Sequence, residues 1–219
     1  MRALVIGGGH SAFFVVNTLK EIDPNGEIVI VETTIEKAGM AQKQFPFAEV
    51  LSLEIDEILD YVKRVKNDVD VLVVCTGSDA LNLRIAKAAV EAGVHRVISV
   101  INNPLNEPYF KKAKVRLLID PYSIIETKLK ELLGVGLPVK IYEGLEKRVA
   151  LYSIIVPRKI KIGLEKEPHS VYLLAKSKTK ITAEFGMDLE KGDVLYIFGE
   201  AHEARSIAEK LSSKMKKGS

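Results

Sequence analysis

The sequence predicts an α/β protein: a doubly wound, parallel sheet followed by a smaller α+β region. Three observations carry this reading. Six short apolar runs alternate with helix-patterned stretches over the first half of the chain. A glycine-rich turn follows the first run directly. Beyond Pro121 the alternation gives way to strand-like runs closed by one amphipathic helix.

Each element has its own signal. Ala3-Leu4-Val5-Ile6 is wholly apolar, as a strand buried on both faces must be. A helix is expected from Ser11 to Ile22, and Asp23-Pro24-Asn25-Gly26 ends it in a turn. Ile28-Val29-Ile30-Val31 is the second strand. Thr34 can cap a helix running to Gln44, with Glu36 and Lys37 in its first turns, and Phe45-Pro46 stops it. Val50-Leu51 is a weak third strand. Ile55, Ile58, Leu59, Val62 and Val65 recur at helical spacing. Val71-Leu72-Val73-Val74 is the fourth strand. Asp79 is expected to cap the next helix, whose face of Leu81, Ile85, Ala88, Ala89 and Ala92 ends at Gly93. Val97-Ile98-Ser99-Val100-Ile101 is the fifth strand, and a short helix near Pro108 to Lys112 leads to the sixth, Leu117-Leu118-Ile119.

Beyond Pro121 comes one more amphipathic helix, marked by Ile125, Leu129, Leu132 and Leu133. Gly134-Val135-Gly136-Leu137-Pro138 reads as a linker. Strands are expected at 149–156, 171–175 and 194–198, with Gly192-Asp193 as the turn before the last. Ala204, Ile207, Ala208 and Leu211 give the closing helix its apolar face, and Lys214 to Ser219 reads as a frayed basic tail.

Composition narrows the function classes. At about 150 residues per domain, 219 residues make one or two domains. Lys+Arg 32 against Asp+Glu 29 leaves a net charge of +3, too balanced for a chain whose main task is gripping nucleic acid. The single cysteine, Cys75, excludes an intrachain disulfide and a Cys-rich metal site. The apolar N-terminus is broken by glycines and lacks a convincing cleavage site, and no run reaches the roughly 18 apolar residues of a membrane span. A cytoplasmic protein without direct membrane insertion is therefore expected.

The chemistry concentrates in Gly7-Gly8-Gly9-His10-Ser11-Ala12, a GxGxxA between a buried strand and a helix. Gly7 allows a tight turn, Gly9 admits a pyrophosphate to the backbone, and Ala12 lets helix and strand pack closely. The free N–H groups and dipole of the helix then favour an anion. Glu32 ends the second strand where a carboxylate binds adenosine ribose hydroxyls, and it disfavours a 2′-phosphate. Cys75-Thr76-Gly77-Ser78-Asp79 closes the fourth strand, where Thr76 and Ser78 can hydrogen-bond a ligand or, with Asp79, serve only as a helix cap. His10, His95, His169 and His202 show no metal-ligand spacing. There is no nucleophile elbow, no P-loop lysine and no evident acid/base pair. A nucleotide is thus expected to be bound without being turned over.

Along nearly its whole length the chain resembles the RCK/KTN family of TrkA-type regulators of potassium transport. The resemblance rests on Gly7, Gly9, Ala12 and Glu32; on Thr76-Gly77-Ser78-Asp79-Ala80-Leu81-Asn82 against a T-G-D-D-x-x-N pattern; on Asn102-Asn103-Pro104; and on Ile119-Asp120-Pro121. Gly192-Asp193-Val194-Leu195-Tyr196-Ile197-Phe198-Gly199 resembles the G-D-x-L-x-x-x-G signature of the TrkA-C subdomain. Two positions depart from the family. Leu53-Glu54-Ile55 stands where G-D-A/T is common, and Val100 stands where many members have an arginine near the ligand phosphates.

The resemblance implies a Rossmann-like nucleotide domain with a crossover helix over 1–133 and a TrkA-C-like regulatory subdomain over 139–219. It implies NAD(H), or alternatively ATP, ADP or AMP, held by Gly7, Gly8, Gly9, His10, Ser11, Ala12, Glu32, Thr33, Glu54, Thr76, Gly77 and Ser78. The partner it implies is a membrane potassium transporter or channel subunit, gated by hinge motion of a homodimer or larger ring at the inner face of the membrane. Two rivals remain open: an NAD-dependent oxidoreductase, and a degenerate sensor acting as a scaffold, for which Val100 and the Leu53-Glu54-Ile55 stretch speak.

Overall fold

Alternation along the first strand sets the two faces of the larger sheet. In the computed structural model, which describes residues 1–144, 147–163, 171–176, 181–182 and 186–216, Leu4 and Ile6 of β1 (Arg2–Ile6) join one core, and Ala3 and Val5 join the other. All four are buried. Burying each large aliphatic side chain stabilises the fold by about 1.5–3 kcal/mol, so a strand apolar on both sides is held in the middle of the sheet.

The chain divides into two compact units, Met1–Ser123 and Ile124–Ser219. In the first, β1 is followed by α1 (His10–Ile22), β2 (Glu27–Glu32), α2 (Ile35–Gln44) and β3 (Glu49–Ser52). Then come α3 (Ile55–Val65), β4 (Val71–Val74), α4 (Asp79–Ala92), β5 (Val97–Val100), α5 (Glu107–Lys112) and β6 (Leu117–Ile119). The strands are all parallel in the order β3-β2-β1-β4-β5-β6. This is the expected doubly wound, Rossmann-like sheet, and the order reverses between β1 and β4.

The helices cover the two faces unequally. Ile58 and Val62 of α3, Ile85, Ala86 and Ala89 of α4, and Phe110 of α5 pack on the Leu4 and Ile6 face. Only α1 and α2 serve the opposite face, through Ala12, Val16, Leu19 and Ala41. Their half of the sheet is β3-β2-β1, so the β4-β5-β6 half is left as an apolar groove of about 400 Å³. Phe14, Val15 and Ile22 of α1, with Val73, Ile98, Val100 and Ile119, line it.

The helix α6 (Pro121–Leu133) crosses the division between the units, whereas the sequence reading kept it whole with the first domain. Ile124, Ile125, Leu129, Leu132 and Leu133 on it are exposed. The second unit continues with β7 (Val139–Gly144), β8 (Val149–Ile155), β9 (Ile160–Gly163) and β10 (Val171–Lys176). β11 (Ile181–Thr182), β12 (Gly186–Leu189), β13 (Val194–Glu200) and α7 (Ala201–Lys216) complete it. Five strands form an antiparallel sheet, β11-β10-β13-β8-β7, and β9 pairs with β12. Leu195 and Ile197 of β13 pack with Ala204, Ala208 and Leu211 of α7. The start of the basic tail is not frayed. Lys214 and Met215 lie in α7, and their carbonyls accept hydrogen bonds from Arg158. Residues 217–219 and His169 lie outside the described residues.

Candidate functional site

The carboxyl ends of β1 and β4 open into a cleft of about 730 Å³, within the range of about 300–1,000 Å³ typical of small-molecule sites. It lies where the strand order reverses, the expected ligand crevice of such a sheet. The glycine loop forms one wall. Gly7 has φ +102°, and a Cβ there would lie 3.1 Å from the Cys75 carbonyl group and the Thr76 Cα, so only glycine fits. A Cβ at Gly8 would lie 3.0 Å from the Ala41 Cβ. At Gly9 the opposite holds: nothing lies within 4 Å of an added Cβ. The space before Gly9 is the open cradle that a phosphate approaching the backbone requires.

The end of α1 fits an anion. Side chains cap α2 (Thr34), α3 (Glu54) and α4 (Ser78), but Gly9 caps α1 with no side-chain hydrogen bond. No acid lies in the first turn of α1. Its free N–H groups and the positive end of its dipole therefore face the cleft unneutralised. Glu32, only 8% exposed at the end of β2, accepts from Gly8 N at 2.5 Å and Thr33 N at 3.1 Å. The carboxylate stands beside the loop, where it fits ribose hydroxyl donors.

The opposite wall is a hydrogen-bonded frame. Asn82 of α4 is fully buried. Its Nδ2 donates to the carbonyls of Thr76 (3.0 Å) and Val100 (3.1 Å), and its Oδ1 accepts from Thr76 N (3.0 Å) and Thr76 Oγ1 (2.5 Å). Ser78, not Asp79, caps α4, accepting from Leu81 N. Asp79 sits one residue inside and turns to the β5–α5 connection. There it accepts from Asn102 N (2.6 Å), Asn102 Nδ2 (3.0 Å), Asn103 N (2.9 Å) and Asn106 Nδ2 (2.7 Å). Partial burial pushes the Asp79 carboxyl up, but these donors outweigh it and hold it below its usual value.

Of the sequence-predicted residues, Gly7, Gly8, Gly9, His10, Ser11, Glu32, Thr33, Thr76, Gly77 and Ser78 line the cleft together. Ala12 does not; it is buried under α1, packing helix on sheet as its small size predicts. Glu54 is a correction. Its side chain caps α3 in a reciprocal capping box, with Glu57 bonding back to Glu54 N at 2.7 Å, and it is not part of the cleft lining. Lys37, Met40, Asn102 and Tyr122 also line the cleft and were not anticipated as contacts. Cys75 lies at its floor as a buried thiol, pushed up to about 12 by burial first and the Glu32 charge second.

Residues 3–121 match the family described as the TrkA-N domain. The chain belongs to the TrkA-N family. The match ends at 121 and does not extend to the second unit of this TrkA-N protein. Among solved structures it is similar to the GsuK channel bound to NAD, at 13% identity and a TM-score of 0.63, covering 96% of this chain and 39% of that one. It also resembles the TrkA-N domain of inner membrane protein ybaL from Escherichia coli, at 14% identity and a TM-score of 0.51, covering 60% and 96%. A third is the NAD(P)-binding domain of an exopolyphosphatase-related protein from Archaeoglobus fulgidus, at 17% and 0.50, covering 60% and 96%. At such identities these likenesses show the fold. No curated protein sequence matches the chain.

Proposed function

We propose that this TrkA-N chain is a nucleotide-binding regulatory subunit. In this reading it binds NAD(H), or an adenine nucleotide (ATP, ADP or AMP), and gates a membrane potassium transporter or channel without catalysing a reaction. The observation that carries the reading is the open cradle at Gly9, set between the uncapped end of α1 and the buried Glu32 carboxylate. Glycine-loop N–H groups would hold the phosphates, and Glu32 the adenosine ribose. Similarity to the GsuK channel bound to NAD supports the ligand and a channel partner.

The output would be mechanical. A ligand moves a conformational equilibrium only by its differential affinity for the two states. In this reading α6, which leads from the nucleotide unit to the TrkA-C-like second unit, is the hinge. A second copy of the chain would bury two apolar surfaces: the exposed Ile125, Leu129 and Leu132 of α6, and the groove over β4, β5 and β6. The homodimer, or a ring built from it, would sit at the cytoplasmic face of the membrane through its partner. No helix among the described residues is long and apolar enough to cross a membrane.

A thermal-shift panel with NAD, NADH, ATP, ADP and AMP, run beside a light-scattering mass, tests the reading. At a ligand concentration of 100 Kd, binding stabilises by about 2.7 kcal/mol, which gives a clear upward shift. No shift with any ligand, together with a monomeric mass, would overturn it. Turnover of bound NADH with an offered substrate would favour an oxidoreductase instead.

A further inference from the structure

The excess positive charge of the chain is gathered at one end of the parallel sheet. Residues 95–117 hold five Lys or Arg against a single acid, Glu107, while the whole chain carries only +3. Topology brings these cations together. β5 and β6 are parallel neighbours with Ile98 opposite Leu117, so Arg96 and Arg116 stand just before two adjacent strands. The turn after α5 returns to the same end. Val115 N donates to the Phe110 carbonyl at 3.0 Å, which holds Lys111, Lys112 and Lys114 close to the start of β6. This is the amino end of the strands, opposite to the carboxyl ends that open into the cleft.

The cations are presented to solvent. Arg96, Lys111, Lys112, Lys114 and Arg116 are all exposed. Lys111 pairs with Glu107, and among the described residues the other four have no ion pair. The carboxylates nearest by strand order, Asp68 and Asp70, precede β4 on the side away from β6, and Asp70 accepts from Arg2 N at 2.7 Å. The backbone adds an independent observation. Lys114 has φ +61°, the left-handed conformation that glycine adopts at least cost where a helix ends. A lysine occupies this position, with its N–H donating to the Lys111 carbonyl at 3.0 Å. Two exposed apolar side chains complete the surface: Tyr109 on α5 and Leu117 at the start of β6.

We infer that the amino end of β5 and β6 is a docking surface for an anionic lipid bilayer. A cluster of Lys and Arg attracts acidic headgroups, and each cation near the surface multiplies partition about fivefold. Tyr109 brings a ring with a polar tip, suited to the boundary between water and lipid, and Leu117 a small apolar contact. The surface lies outside both cavities described above, so it offers a broad face and not a pocket. The contact is adsorption without insertion. With this end on the bilayer, the cleft at the other end of the same strands faces away from it and stays open to a ligand. The inference stands on the charge and geometry of this end and is independent of what the cleft binds.

The test is co-sedimentation of the full chain with vesicles. An equimolar mixture of phosphatidylcholine and phosphatidylglycerol should bind the chain, and phosphatidylcholine alone should not. Raising the salt from about 0.1 M to about 1 M, which shortens the Debye length from about 10 Å to about 3 Å, should release it. Lys114→Gly should lower partition about fivefold without lowering the melting temperature, because glycine accepts the left-handed φ. Lys112→Gln combined with Arg116→Gln should lower it about twenty-fivefold. Equal binding to both kinds of vesicle, or a partition unchanged in these variants, would overturn the inference. Binding to a mixed-sequence DNA duplex at a salt concentration at which the chain leaves the vesicles would assign the surface to nucleic acid and overturn it as well.

Discussion

Replacing Asn82 by alanine tests the frame behind the cleft wall. The side chain is fully buried and makes four hydrogen bonds. Their loss is uneven. The Thr76 carbonyl keeps Asn102 Nδ2, the Val100 carbonyl keeps Ser99 Oγ at 3.3 Å, and Thr76 Oγ1 can still donate to the Ser78 carbonyl. Thr76 N keeps nothing. One stranded, part-buried donor costs at most about 1–3 kcal/mol, and the lost net bonds add about 0.5–1.5 kcal/mol each. Because these terms are not additive, about 3 kcal/mol is the working figure for Asn82→Ala. With a urea m-value of about 1–3 kcal/mol/M, the midpoint of the nucleotide unit falls by roughly 1–3 M. Ser78→Ala, which removes only a helix cap, is the internal control at about 1 kcal/mol. A midpoint for Asn82→Ala no lower than that of Ser78→Ala would refute the claim that the frame holds the wall.

Gly9→Glu should abolish nucleotide binding in calorimetry while leaving the denaturation midpoint nearly unchanged, because the added side chain enters open space and brings negative charge to the phosphate cradle. Gly7→Ala should do the reverse first, destabilising by about 1–3 kcal/mol at a strained φ against backbone atoms. Glu32→Gln, which keeps an acceptor for Gly8 N but removes the charge, should weaken adenosine-nucleotide binding with little change in melting temperature. The Asp79 carboxyl is held below its ordinary value of 3.8 in the folded chain. The stability it contributes is therefore present above the unfolded value and lost as pH falls through the folded one. Asp79→Asn should accordingly flatten the acid limb of a stability–pH curve. Cys75, buried and with its thiol pushed up to about 12, should resist a thiol reagent at pH 8 until the chain is unfolded in urea.

The parallel sheet was legible because its inner strands are apolar on both faces, as β1, β2 and β4 are. The strands that escaped notice carry weaker patterns. β7 lies at a sheet edge and exposes Lys140, Ile141, Tyr142 and Glu143. β9 and β12 are four residues each and pair only with one another. Errors at the site have local causes. Ser78 and Asp79 are both good caps by composition, and the choice between them is made by a distant demand: the β5–α5 connection needs a carboxylate acceptor. Glu54 stands where an acid can serve a ligand or a helix. Glu57, three residues on, carried the signal of a capping box. Tyr122 had no local signal, since its place at the cleft follows from β6 lying beside β5 in the sheet.

The valine at position 100 changes meaning once its face is known. Resemblance to the family suggested an arginine there, near ligand phosphates. In this chain the Val100 side chain is buried with Val73 and Cys75 on the α1 side of the sheet and lines the apolar groove, not the cleft. Only its carbonyl faces the frame, accepting from Asn82. A cation at this position would be set among Ile98, Ile119 and Pro121, where charge is costly to bury. Valine keeps that surface apolar. The phosphate donors at the cleft are backbone N–H groups, which no side-chain change at position 100 removes. The departure thus bears on how the groove is filled. The glycine loop itself keeps its left-handed Gly7 and its open Gly9.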